Sequence, residues 1–115
     1  MKKYRLLSVL SLVLVAGCAS PSIYYWGDYE DLLYTSYVKP SEATPERQIK
    51  SLEADLQKAK GKGLAVPPGL HAHLGFLYYQ TGNFGKAGEH FEIEKLRFPE
   101  SSTLMDRFLR KIKKS

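Results

Sequence analysis

The sequence of 115 residues holds a single cysteine, Cys18. One thiol cannot close a disulfide or make a redox pair within the chain, so stability must come from packing. Long hydrophobic runs are scarce too. Leu6 to Ala16 is one uninterrupted apolar and small-residue stretch. As a helix it reaches roughly 16 Å, well short of a ~30 Å hydrocarbon core, which argues against a membrane span. No stretch alternates with the period of two that a half-buried strand needs. Motifs of catalysis are missing: there is no GxSxG, no paired-carboxylate cleft and no Cys/His pair. Gly61 and Gly63 flank Lys62, but the rest of a phosphate-cradling loop is absent. An enzyme is not expected, nor a small-molecule substrate, cofactor or metal.

What is present begins with the leader. Lys2, Lys3 and Arg5 precede the apolar run, and Val15-Ala16-Gly17-Cys18 closes it. This arrangement resembles the lipobox of bacterial lipoproteins, in which the cysteine is fatty-acylated and becomes the first mature residue. The resemblance implies a signal peptide over 1–17, a lipidated tether over 18–23 and a folded domain over 24–115. Cys18 is then the lipidation site, and a covalent lipid is the only attached group expected. Ala19, rather than Asp, follows it, which by the same resemblance favours the outer membrane, with the periplasmic face as default and surface display left open. Cleavage removes three of the seventeen basic residues, leaving fourteen against twelve acidic ones. So small an excess gives no reason to expect nucleic acid as a partner.

Helices are expected throughout the domain. "IYYWGDYEDLLYTSYV" is dense in aromatics. Asp28 is a candidate cap for a helix to Val38, with Tyr29, Leu33 and Tyr37 along one face. Thr44 before Pro45 predicts the next start, with Ile49, Leu52, Leu56 and Ala59 as its apolar stripe and "GKG" as its end. A third helix is expected from about Pro68 to Thr81 and a fourth from Phe84 or Gly85 to Phe98, joined by Gly82-Asn83. Ser101 is expected to cap a fifth, with Leu104, Met105, Phe108, Leu109 and Ile112 buried.

The third and fourth helices follow the tetratricopeptide pattern W-x2-L-G-x2-Y, A-x3-F, P. Leu74, Gly75, Tyr78, Ala87, Phe91 and Pro99 occupy its packing positions, while His71 replaces the tryptophan and Glu94 stands where a small residue is expected. The fold class is therefore all-α: about five helices in tetratricopeptide-like antiparallel hairpins with a C-terminal capping helix. The concave face of such a scaffold would present Ala72, His73, Phe76, Tyr79 and Gln80 to a partner peptide or helix. It is equally open, from the residues, that the first two helices cover Phe76 and Tyr79.

"YYWGDYE", "VPPGLHAHLGFLYYQTG" and "FPESSTLMDRFLRK", behind the lipobox, resemble a family of small Gram-negative lipoproteins catalogued as domain of unknown function 4810. The resemblance spans the mature chain. It implies an outer-membrane assembly, because members tend to be encoded beside a lipoprotein similar to the curli secretion-channel protein CsgG. No catalytic residue comes with it. His71 and His73, two apart on a helix, cannot share a metal, and His90 with Glu94 would supply only two ligands. Glu94 needs a partner if buried, with His71, Lys95 or Arg107 as candidates. The cationic end, with Arg107, Arg110, Lys111, Lys113 and Lys114, has two readings: contact with anionic lipid or, more commonly, the solvated side of a capping helix. The expected function is a lipid-anchored module that binds a protein partner. The alternative is a lipoprotein that activates a peptidoglycan enzyme by contact.

Overall fold

The computed structural model describes residues 21–115; the leader and Cys18 lie outside the described residues. The described chain is all-α. Five helices follow one another: α1 (Tyr29–Val38), α2 (Pro45–Gly61), α3 (Leu70–Gln80), α4 (Phe84–Arg97) and α5 (Ser102–Lys114). A 3-10 turn over Pro99–Ser101 leads into α5, and an isolated bridge joins Tyr24 to Ala65. Among the described residues, no helix is long and apolar enough to cross a membrane.

Local chemistry sets most boundaries. Thr44 accepts the Arg47 N–H with Pro45 in the first turn, and Asn83 accepts the Lys86 N–H to start α4. Gly82, at φ +80°, makes the tight reversal between α3 and α4. One expected start and two expected side-chain caps need correction. Helix α3 begins at Leu70, not Pro68, because Gly69 takes φ +92° and interrupts any helical path from the prolines. Asp28 stands at the cap of α1 without a side-chain cap bond. Ser101 does not cap α5 with its side chain either; its hydroxyl donates to the Phe98 carbonyl instead.

Helices α3 and α4 pack most intimately. They run antiparallel, since Tyr78 near the end of α3 meets Lys86 near the start of α4, and Gly69 meets Glu94 at the other end. A Cβ on Gly75 would lie 2.7 Å from Phe91 Cε1 and 3.1 Å from the Ala87 carbonyl, so only glycine lets these backbones approach so closely. Leu74, Ala87 and Phe91 are fully buried there and Tyr78 nearly so. Helix α5 then covers α4: the Phe108 ring stacks on Phe91 at 5.0 Å, and Met105 is buried. Phe108, Leu109 and Ile112 line the same seam. Leu104 does not; it is 48% exposed. It precedes Met105 by one residue and falls about 90° around the helix from the middle of the Met105, Phe108, Leu109, Ile112 stripe.

Helix α2 packs on α3 through Leu52 and Ala59. Helix α1 approaches its neighbours less closely. Tyr29 anchors it in the core, with Leu32 and Leu33 partly buried. Tyr37, placed on the same face by spacing, is instead 86% exposed, at the rim of a concavity rather than in the core.

Candidate functional site

A concavity of about 410 Å³ opens between α1, α2 and α3. Leu33, Tyr37, Gln48, His73, Phe76 and Gln80 line it. His73, Phe76 and Gln80 recur at i, i+3 and i+7, so one stripe of α3 forms a wall. The Gln48 side chain is pinned at both ends: its amide donates to the Ala43 carbonyl at 2.7 Å, and its oxygen lies 3.0 Å from His73 Nε2. Burial lowers the His73 pKa, which favours the neutral ring donating to Gln48. Phe76 remains 40% exposed beside Phe108, at a ring separation of 6.3 Å. The first two helices therefore border the groove without covering Phe76. Tyr79 is a correction to the expected groove. It lies 60° around α3 from Phe76 and packs on Phe84 at 5.4 Å, away from the concavity. Ala72 is partly buried against the core.

The opposite side of α3 carries a polar cluster. His71 Nδ1 and His90 Nδ1 are 2.9 Å apart, with the rings stacked. His90 Nε2 faces Glu53 at 3.5 Å. That orientation makes the Nε2–H of His90 the donor to Glu53, leaving its Nδ1 to accept the Nδ1–H of His71. Glu53 also accepts the Tyr78 hydroxyl at 2.8 Å, and Lys86 Nζ donates to that hydroxyl at 3.3 Å. Burial, reinforced by His90 and Arg97, pushes His71 down to about 4. Burial lowers His90 as well, against the pull of Glu53. The cluster thus holds two neutral imidazoles inside the hairpin. Among the described residues, no three His, Cys, Asp or Glu side chains converge on a metal position.

Glu94, 2% exposed, finds a partner that the sequence did not indicate. Its carboxylate accepts the Gly69 N–H at 2.7 Å and the Ala72 N–H at 3.3 Å. It caps α3 from the neighbouring helix, supplying the acceptor that a glycine cap lacks. Asp55 does the same for α1. It is buried, accepts the Asp28 N–H at 2.9 Å, and sits so close to Gly27 that a Cβ there would collide with its carboxylate. Burial raises the Asp55 pKa, more than the Asp28 N–H lowers it.

A family model described as a domain of unknown function (DUF4810) matches residues 23–108. The chain belongs to the DUF4810 family. Its match begins at the aromatic segment before α1 and runs through Phe108, so it takes in the groove, the histidine pair and both capping carboxylates. No curated protein and no solved structure matches this DUF4810 chain.

Proposed function

We propose that this DUF4810 chain is a lipid-anchored interaction module. Cys18 holds it at the periplasmic face of the outer membrane, and the groove between α1, α2 and α3 takes up a partner polypeptide. The observation that supports this reading most directly is the character of that groove. Exposed aromatics, Tyr37 and Phe76, stand beside a wall fixed in place by the Gln48–His73 contact. Aromatic anchors in a preorganised concavity are what a docked helix or extended peptide requires. The partner in this reading is another protein of the same membrane, such as a channel-forming lipoprotein, and the action is by contact rather than by catalysis.

Site-directed photo-crosslinking in intact membranes tests it. A photoreactive residue at Tyr37 or Gln80 should give one discrete adduct, and Phe76→Ala should abolish it. A channel-like lipoprotein in the adduct supports the assembly role. A peptidoglycan synthase would replace it with the enzyme-activating role. Adducts from Leu96, on the far end of α4, with none from Tyr37 or Gln80, would sink the groove as the docking site.

A further inference from the structure

The chain leaves its tether on the side of the molecule away from the groove. Tyr24 bridges to Ala65, Tyr25 donates its N–H to the Ala65 carbonyl at 2.8 Å, and Tyr24 packs on Phe98. Beside this seam lies a second concavity of about 360 Å³, with Leu56, Leu64 and Val66 in its apolar lining and Lys60 and Arg97 in its polar one. His71 lines this concavity and His73 lines the groove. Residues two apart on a helix point about 200° apart, so the two hollows lie on opposite sides of α3.

We propose that this second face is the surface on which the protein seats against the bilayer interface, among anionic phospholipid headgroups. The inference rests on the lipid-anchor reading and extends it from a tether to an orientation. Three observations identify lipid as the occupant. First, only four residues lie between Cys18 and Ile23, and the five backbone steps from one to the other cannot stretch beyond ~18 Å. Whatever surface surrounds Ile23 is therefore kept at the lipid boundary. Second, that surface has interfacial composition: Ile23 is 71% exposed, Trp26 41% and Leu64 37%, with Tyr24 edge-on to Trp26. Tryptophan and tyrosine favour the headgroup level, where an apolar ring body and a polar edge are both satisfied. Third, the charge is complementary. Lys60, Lys62 and Arg97 are exposed, and none takes part in an ion pair among the described residues. Lys62 lies over the Tyr25 ring, 5.1 Å from its centre. The nearest following carboxylate, Asp28, accepts from Ser51. Seating on this face presents the groove to the periplasm, where a second protein can reach it.

Trp26 is the only tryptophan and reports directly. The full-length acylated protein is reconstituted into vesicles of phosphatidylethanolamine and phosphatidylglycerol, with and without acyl-chain-brominated lipid. Trp26 emission should shift to the blue, be quenched by the brominated lipid and be shielded from aqueous iodide. A nitroxide on Tyr37→Cys should remain open to water-soluble relaxants. In the Cys18→Ser mature protein, partition onto the same vesicles should weaken about fivefold for each of Lys60→Gln, Lys62→Gln and Arg97→Gln. The mass of the Cys18 peptide is read on the same samples. Acylated protein whose Trp26 stays open to iodide overturns the seating alone, whereas an unmodified Cys18 overturns the anchor and the seating with it. Trp26 shielded without vesicles, together with a concentration-dependent dimer, assigns the face to a second copy and also overturns the proposal.

Discussion

Acid should destabilise this domain through its histidine pair. His71 is 5% exposed, and its Nδ1 lies 2.9 Å from that of His90. One imidazole must donate and the other accept, so a second proton would set N–H against N–H. Burial first, and then the neighbouring His90 and Arg97, hold His71 down to about 4, against an ordinary value of 6.5. The unfolded chain therefore binds this proton first as pH falls. Stability from His71 is fully present above 6.5 and is lost progressively as pH drops toward 4. A gap from 6.5 to about 4 corresponds to about 3 kcal/mol. Small domains are stable by only ~5–15 kcal/mol, so the loss is a large share. Asp55 acts with the opposite sign: burial raises its pKa, so its protonation favours the folded state and offsets part of the loss in acid. The assay is urea unfolding of the Cys18→Ser mature protein at steps from pH 7 to pH 4.5, with the His71 and His90 titrations followed by NMR. His71→Leu/His90→Leu should flatten the slope above the carboxylate range. A His71 that titrates near 6.5, or equal unfolding free energies at pH 6.5 and 5, would refute the reasoning.

Other perturbations separate the contacts that hold the fold. Glu94→Ala strips two buried N–H groups at the start of α3 of their acceptor and should cost about 2–3 kcal/mol, while Glu94→Gln, which keeps one acceptor oxygen, should cost about 1; chemical denaturation measures both. Gly75→Ala gains up to ~1 kcal/mol of helix propensity but drives a methyl into a Phe91 ring already stacked on Phe108, so a net loss of about 1–2 kcal/mol is expected. Met105→Ala should cost about 2–4 kcal/mol and loosen α5 in hydrogen exchange, whereas Leu104→Ala, one residue earlier, should change stability by less than ~0.5 kcal/mol.

The helices were legible because their signals are local. Thr44-Pro45, Gly82-Asn83 and Pro99 act within one turn of the backbone, and the close approach at Gly75 and Ala87 follows from side-chain size at a helical spacing. What stayed hidden depends on neighbours distant in sequence. The capping of α1 by Asp55 and of α3 by Glu94 crosses 27 and 25 residues, and no spacing rule on one helix reveals it. A buried acid at a crowded position was the one available signal: Glu94 was noticed as misplaced, yet its partner was sought among cations, when the acceptor was needed by a helix end. Asp55, Gln48 and Glu53 turn inward from α2, and no spacing within α2 alone sets them apart from its exposed polar residues. The His71–His90 contact joins two helices across 19 residues, so spacing within either helix does not reveal it. In the groove, His73, Phe76 and Gln80 share a stripe as the spacing implied. Tyr79 lies beyond its edge, where Phe84, across the turn, captures it.

The two capping carboxylates expose a correspondence between the halves of the chain. Asp55 lies ten residues on from Pro45, and Glu94 ten residues on from Phe84, the first residues of α2 and α4. In the same register Leu52 matches Phe91 and Gln48 matches Ala87, and all six side chains are buried. The last pair differs in size, and the difference has a structural effect. Ala87 lets α3 close onto α4 at Gly75. Gln48 has no such freedom: its amide is tied to the Ala43 carbonyl at 2.7 Å, and its bulk stands where a methyl stands in the other hairpin. Helix α1 therefore keeps its distance, and the space left between it and α3 is the groove, with Gln48 on its wall. A tightly closed N-terminal hairpin would make a better-packed domain without a cleft. Asp55 compensates by fixing the start of α1 through the Asp28 N–H, so the helix is held at one end while Tyr37, near its other end, stays exposed at the rim of the groove.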